Sequence, residues 1–590
     1  MIHRVERKDK GLVENEIVKG NPGHMIRDLC SSKVIACDTE TTGFNFWEHH
    51  IVGFSFSSPT KNYYLPADAH PIKDMYNFVS LIYGAHNEKV FHNAKFDLSF
   101  IKKLGIPING FVHDTMVMAH ILNENRKSKK LKDLGAEYVD PKAKDSENEL
   151  KAYFKAHECK HYGEIPVDVI GPYACKDTEL TLGLYNKFWP EINSNFAPLY
   201  MVEMLLLKHL INMEMKGVKI DVKYLTDLKE NYTQKLTEVG AQIYKIAGKT
   251  FNINSIDELS EVLFTQFNLP ASDLSPKTGK PTVDKYTLEK LEGKHDIIAP
   301  LLEYRGLAKL TSTYIKGILD KVVEEEWIHA DFQQVGTVTG RLSCWSPNLQ
   351  NIPRGDEIRR AFLNPEPGKT RLLFFDYSQI EYRMAAHYSK DEMMMEGFHT
   401  DMDFHTYTAM MMFKLDYDKI TKAHRQQAKS LNFGILYGMG INTLSQKLKC
   451  TKDEAQRLLR EYHDTFPRLR EFIFKAKSVI KDRGYIRNFL GRRRRLSAQE
   501  CYKGVNSLCQ GSGADILKTA IGNVGEYLLD KKAYMIMNVH DELILVDYYE
   551  EGIIENVKRI MEDFHFVVPI KVEVEESITN WGEKKKVEVV

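Results

Sequence analysis

Cysteine is scarce and unpatterned in this 590-residue chain: there are eight, and no two form a Cys-x-x-Cys pair. Cys159 and His161 lie close together, but no second ligand pair follows at zinc-site spacing, which excludes a structural zinc module. The thiols read as idle groups in a reducing compartment. Net charge is also missing, since 81 Lys plus Arg balance 81 Asp plus Glu. That excludes a bulk polycation but not separate basic and acidic surfaces. Long apolar runs are absent: the richest, Met201 to Met215, is broken by Glu203 and Lys208, which makes a membrane span costly. Met1 to Lys10 is charged and lacks the apolar core of a signal peptide. No repeat or low-complexity tract occurs. The expectation is a soluble, cytoplasmic protein.

What is present is ordinary globular material, 43% apolar and 27% charged, too apolar for a disordered chain. At this length about three to five domains are expected. The first ~190 residues alternate strand and helix patterns as an α/β layer does. Val34 to Cys37, Ile51 to Phe56 and Val90-Phe91 read as strands, and Ala94 to Leu104 as a helix. From Tyr200 to Val323 the pattern is mostly helical, with a polar, turn-rich tip at Ser275 to Pro281. Strand signals return after Trp327, where the apolar run Arg371 to Phe375 ends in Asp376. Phe404 to Asp482 is helical. Tyr534 to Val539 and Leu543 to Val546 then form a hairpin signal around His540-Asp541-Glu542. The Met triplets at 393–395 and 410–412 read as adaptable core filler.

Two sets of acids stand out. Asp38 and Glu40 close an apolar strand on one face, Asp97 opens a helix after the third strand, and Asp177 follows Tyr173 by one helical turn. Four such acids could gather around two divalent cations and hydrolyse a phosphodiester. Close carboxylates repel and need such a counter-charge. Spacing alone leaves this reading and that of separate surface acids both open. In the second set, Asp376 and the Asp541-Glu542 pair sit at strand ends 165 residues apart (541 minus 376). They suggest another two-cation centre, for phosphoryl transfer or hydrolysis. Between them Arg425, Lys429, Phe433 and Tyr437 recur every four residues on one helical face. Two cations followed by two rings suit a nucleoside triphosphate, with its phosphates at the cationic end. Gly438 lets the helix end there.

These residues also carry a resemblance. Asp38-Thr-Glu40-Thr-Thr-Gly43, Asn93-Ala-Lys-Phe-Asp97 and Tyr173-Ala-Cys-Lys-Asp177 resemble, in order, the three motifs of DEDDy-type 3′→5′ exonucleases. Asp376-Tyr-Ser-Gln-Ile-Glu381-Tyr-Arg, Arg425-x3-Lys429-x3-Phe433-x3-Tyr437-Gly438 and Val539-His540-Asp541-Glu542 resemble motifs A, B and C of family A DNA polymerases. Two further stretches fit the same family: Thr339 to Ser343 with Pro347 to Pro353, and Asn506 to Asp515. The resemblance covers nearly the whole chain.

It implies a multidomain α/β and α+β fold: an RNase H-like exonuclease domain followed by a right-hand polymerase domain. The expected boundaries are 1–192 for the exonuclease, 193–330 for the thumb and connecting helices, and 331–400 for the first part of the palm. Fingers follow at 401–482 and the rest of the palm at 483–590. The implied activity is DNA-templated DNA synthesis with 3′→5′ proofreading. Asp376 and Asp541 would bind catalytic metals with Glu542 beside them, and Lys429 would act on the phosphates. Asp38, Glu40, Asp97 and Asp177 would hold the exonuclease metals while Tyr173 orients water. The implied cofactor is Mg2+, two per active site, with Mn2+ as a substitute.

Further roles follow from the same resemblance. Glu381 would exclude a 2′-hydroxyl, Phe433 would disfavour 3′-deoxy sugars, and His405 would touch phosphate. Arg341, Asn506 and Gln510 would contact the primer-template minor groove, and His540 the primer end. Family members often carry Arg where this chain has Tyr502, with Lys503 adjacent as its substitute. Residues 481–520 hold nine Lys or Arg against three acids, centred on Arg492 to Arg495, and are expected to form a phosphate track using Arg492 and Arg493. Backbone contacts are also expected near Ser275 to Pro281 and Lys309 to Tyr314.

Expected partners are primer-template DNA, dNTPs, a single-stranded 3′ end and replisome proteins, with no membrane, for a monomer. Only about 30 residues precede the first exonuclease strand, so no 5′-nuclease domain is expected there. The resemblance also implies a thumb without a long insertion. This compact form suggests a phage or mobile-element enzyme in host cytoplasm, with a shortened bacterial enzyme as the alternative. The competing activities are an exonuclease whose polymerase half only holds DNA, and an inert replisome scaffold.

Overall fold

A six-stranded mixed sheet opens the chain, and its order brings the first acids together. The computed structural model describes residues 14–271, 274–275, 279–324, 326–353, 355–400 and 402–588. Its first sheet runs Asn15–Ile17, Asn62–Pro66, Ile51–Ser57, Val34–Thr41, Glu88–Phe91, Val112–Asp114. Val34–Thr41 is central, antiparallel to Ile51–Ser57 and parallel to Glu88–Phe91. Ile35, Ala36 and Cys37 are wholly buried in it, as expected of a strand covered on both faces. The long helix Val167–Asn195 packs across this sheet and delivers Tyr173 and Asp177 to the strand bearing Asp38 and Glu40.

The next helix, Ala197–Lys216, belongs to two cores. Leu199, Tyr200, Met204, Leu207 and Ile211 join the core of the first sheet. Leu206, Leu210 and Met213 face the core of the C-terminal half. The three- and four-residue spacings put these sets on different helical faces. The expected boundary at 192 therefore falls inside the helix that ends at Asn195. Helices Val222–Ala247 and Ile298–Lys309 enclose a separate apolar cluster that includes Ile243, Leu263, Leu288 and Leu301. In the turn-rich tip, Pro276 to Thr278 lie outside the described residues. Its flanks close on each other, with the Ser275 amide donating to the Lys280 carbonyl at 2.8 Å.

The C-terminal half is built on a five-stranded antiparallel sheet in the order Ala533–Val539, Glu542–Asp547, Arg371–Tyr377, Val572–Ser577, Lys585–Lys586. Its register sets Asp376 opposite Glu542. Five helices from Phe404–Phe413 to Pro467–Arg483 form the helical section. Met394 and Met412 are buried and Met393, Met395 and Met411 pack at the core's edge, as the filler reading expects.

The arginine run requires a correction: it is an internal clasp and not an open phosphate track. Strands Tyr485–Arg487 and Arg493–Arg495 pair antiparallel. Arg492 is buried, donating from Nε to Asp515 Oδ1 at 2.9 Å and from Nη2 to Glu203 Oε1 at 2.5 Å. The Arg493 guanidinium lies 4.7 Å from the Phe196 ring centre and 5.1 Å from that of Tyr485. Arg495 bonds Glu124 Oε2 at 2.6 Å, and Arg494 bonds Asn125 Oδ1 at 2.6 Å. A local charge count cannot see acids that arrive from 289 or 371 residues away. Their attraction to the arginines in a dry junction outweighs solvation of the run.

Two candidate carboxylate centres

In the first centre, Asp38, Glu40 and Asp177 each offer a carboxylate oxygen, all within 4.8 Å of one another. Alternation along the strand places Asp38 and Glu40 on one face, and the crossing helix supplies Asp177. Asp97 stands beside them without joining that trio. Its Oδ1 accepts from the Thr39 amide at 2.8 Å and the Thr39 hydroxyl at 2.7 Å. Burial and the Asp97, Glu40 and Asp177 charges push Asp38 well above the ordinary carboxyl range. Burial and Asp177 raise Glu40 to about 8, and burial raises Asp97 to about 7 against its Thr39 bonds. Such a set is unfavourable as bare carboxylates near neutrality. An all-oxygen donor set under mutual repulsion fits a hard divalent cation such as Mg2+ or Mn2+.

Sequence reasoning missed one member of this centre. Lys132, on helix Leu131–Tyr138, forms an ion pair with Asp177 Oδ1. Its ammonium also lies 4.3 Å from the Tyr173 ring centre. A lone lysine 45 residues before its partner carries no local signal.

In the second centre, Asp376 comes from strand Arg371–Tyr377 and Asp541 from the turn that precedes the neighbouring strand Glu542–Asp547. The tight turn places His540 at φ 57°, and Asn538 braces it by donating to the carbonyls of His540 and Glu542 at 3.1 and 3.0 Å. Asp376 is exposed to solvent at its strand end. Partial desolvation, then the Glu542 and Asp541 charges, push it up to about 7. Burial also raises Asp541, against the Arg341 and His540 charges. Glu542 turns away to Lys584 Nζ at 2.6 Å, and Lys584 also holds Glu575 at 2.6 Å. Lys584 is a second residue the motifs did not reveal.

Helix Lys422–Leu436 presents the expected stripe, and Tyr437 is its C-cap. Gly438 follows at φ 65°, ending the helix as expected. Arg425 is held by Asp403 through bonds of 3.0 and 3.2 Å. Lys429 is half-buried one turn on. Phe433 packs 5.4 Å from Tyr382 and 6.1 Å from Tyr437, between ring centres. His405 Nδ1 faces the Asn432 amide at 3.0 Å, and burial drops its imidazole to about 4. Without a bound anion beside it the ring is therefore neutral near pH 7.

Glu381 joins these parts. It is bonded by Arg341 and accepts from the Tyr437 hydroxyl at 3.3 Å, which in turn accepts from Gln510 at 3.4 Å. Burial raises its carboxyl while Arg341 opposes the shift. Asn506 Oδ1 is buried with no partner among the described residues. Tyr502 is exposed, whereas Lys503 pairs with Glu500 at 2.8 Å. Lys503 is therefore already engaged.

Comparison with known proteins gives the family. Residues 222–583 match the family described as DNA polymerase family A, and residues 21–193 match a 3′-5′ exonuclease domain. The chain belongs to DNA polymerase family A and carries a 3′-5′ exonuclease domain ahead of its polymerase domain. Among its relatives, DNA polymerase I of Chloroflexus aurantiacus is 32% identical over 95% of this chain and 62% of that protein. DNA polymerase I of Bacillus subtilis is 35% identical over 90% of this chain and 62% of that protein. The chain thus spans about 62% of the length of these curated relatives. The solved POL domain of Pol1 from M. smegmatis, in complex with DNA primer-template and dNTP, is 25% identical. It superposes with a TM-score of 0.86 over 96% of this chain and 99% of that one.

Proposed function

We propose that this chain extends DNA primers with deoxynucleoside triphosphates on a DNA template at its second centre and removes mispaired 3′ ends at its first. The observation that carries this reading is the pairing of two separate acid centres with one cation-and-ring helix. Only the second centre has that helix beside it. In domain terms, residues 1–192 act as the exonuclease, 193–330 as the thumb with its connecting helices, 401–482 as fingers, and 331–400 with 483–590 as palm.

At the synthetic centre the incoming triphosphate takes Arg425 and Lys429 at its phosphates, with His405 as a hydrogen-bonding partner. Arg425 exchanges its Asp403 bonds for phosphate oxygens, a swap between two anions that each offer a pair of oxygens to the guanidinium fork. Phe433 and Tyr437 flank base and sugar. Glu381, fixed by Arg341 and Tyr437, closes the space a 2′-hydroxyl would need. Asn506, Gln510 and Arg341 face the terminal base pair, and His540 the primer end. Asp376 and Asp541 hold the cations. Mg2+, or Mn2+ in its place, supplies charge neutralisation and an activated attacking oxygen when bound. At the hydrolytic centre Asp38, Glu40, Asp97 and Asp177 do the holding, and Tyr173 orients water toward the terminal phosphate.

Primer extension with four dNTPs, on matched and mismatched primers, tests the reading. Asp541→Ala should abolish extension and spare degradation, while Asp38→Ala does the reverse. Loss of both activities from either substitution in a folded protein overturns the two-centre scheme. Degradation without any extension would leave a nuclease whose larger half only holds DNA.

A further inference from the structure

Lys132 is the one residue of the hydrolytic centre that neither its acids nor its tyrosine required. Its side chain is 8% exposed and reaches the centre from a different helix than Asp177 and Tyr173. Three contacts fix the ammonium: Asp177 Oδ1, the face of Tyr173 at 4.3 Å, and Ser146 Oγ at 3.3 Å. Asp177 is also one of the three acids whose oxygens gather within 4.8 Å. The same carboxylate is therefore claimed twice, by the lysine and by any ion the trio holds.

We propose that Lys132 is a positioning residue of the exonuclease centre: it competes with the divalent cation for Asp177 and, once displaced, aligns Tyr173. Two buried positive charges cannot share one carboxylate at close range without repulsion. Ion binding thus moves the ammonium off Asp177. Its stem is packed, so the ammonium stays over the ring and against Ser146. There a cation on the aromatic face fixes the orientation of the phenol that handles water. The lysine costs the centre metal affinity and returns an aligned tyrosine. It also balances the buried acids when no ion is present.

This inference rests on the exonuclease reading, and its test separates the two. Mn2+ is titrated by electron paramagnetic resonance against the full chain carrying Asp376→Asn and Asp541→Asn, which silences the synthetic centre. Adding Lys132→Met should tighten Mn2+ binding about threefold or more, because a competing charge is gone. With the synthetic centre intact, the same substitution should lower kcat for single-strand degradation roughly tenfold to a hundredfold at little-changed KM. Lys132→Arg should restore both values toward the parent. Primer extension by Lys132→Met should remain at the parent rate, which shows that the chain is folded. Weaker or unchanged Mn2+ binding overturns the competition, and an unchanged kcat overturns the alignment of Tyr173. A parent chain that degrades no DNA overturns the exonuclease reading instead, while the Mn2+ titration still decides the lysine.

Discussion

Glu203 keeps its charge at 1% exposure because two cations reach it from elsewhere in the chain, Arg492 at 2.5 Å and Lys518 at 2.7 Å. Burial alone would raise its carboxyl, yet the Lys518 and Arg492 charges hold it down to about 2. Lys518 gains less, since its own burial and the neighbouring Arg492 lower its ammonium. Removing the acid takes away the carboxylate that pairs with Lys518 and leaves Arg492 with Asp515 alone, so Glu203→Gln should cost about 3–5 kcal/mol. Scanning calorimetry at neutral pH measures it. The pH dependence follows from the sign of the shift. A carboxyl held below its unfolded value stabilises fully above about 4.5 and loses that contribution as pH falls toward 2. The parent should therefore lose more stability over that window than the Gln variant. At Glu381, truncation to Ala should free Arg341 and open the sugar pocket. Use of ribonucleotides relative to deoxynucleotides should rise by roughly 10–100-fold in kcat/KM ratio, measured by single-nucleotide incorporation.

At the scale of elements, the cation-and-ring helix shows how a local pattern becomes a site. Four-residue spacing places Arg425, Lys429 and Phe433 on one face, and Gly438 stops the helix so that Tyr437 turns to Glu381. A Cβ at Gly438 would meet the Tyr502 carbonyl oxygen at 2.6 Å and would also be strained at φ 65°. Gly438→Ala should cost about 1–3 kcal/mol. It should also raise KM for dNTP, because Tyr437 is displaced with the helix end. Thermal unfolding and single-turnover incorporation check these two outcomes. The strand ends tell a similar story. Asp38, Glu40 and Asp376 were legible at the ends of apolar runs, and Asp97, Asp177 and Asp541 through the motifs that contain them, but Lys584 and Lys132 were not, since no pattern announces a lysine that acts on a distant carboxylate.

At the scale of the whole molecule, the exonuclease and polymerase domains are joined by buried charge as well as by the shared helix Ala197–Lys216. Glu124, on the exonuclease side, accepts from Arg495 at 2.6 Å and Arg494 at 3.2 Å. Lys95 likewise reaches Glu214 at 2.6 Å. Glu124→Ala should uncouple the halves. Calorimetry should then resolve a lower-melting exonuclease transition from the polymerase transition, while initial extension rates stay close to the parent's. A single unshifted transition would show that the shared helix and the Lys95–Glu214 pair set the coupling without Glu124. Chelation by EDTA should silence extension and degradation together, since both centres are acid clusters, and added Mg2+ should restore both.

The sequence by itself determined that Asp38, Glu40 and Asp376 fall at the ends of apolar runs, where an uncompensated charge is costly, and it carried the acids in the order of the motifs they resemble. It also determined the helical face shared by Arg425, Lys429 and Phe433, since helical periodicity is local. The zero net charge concealed how the cations are used, and there the tertiary structure decided. It drew Arg492 to Arg495 inward onto Glu203, Asp515, Glu124 and the rings of Phe196 and Tyr485. It set Lys132 on Asp177, tied Arg341 to Glu381 and engaged Lys503 with Glu500. Charge pairing in a low-dielectric junction depends on distance in space, and distance in space is what a linear sequence does not contain.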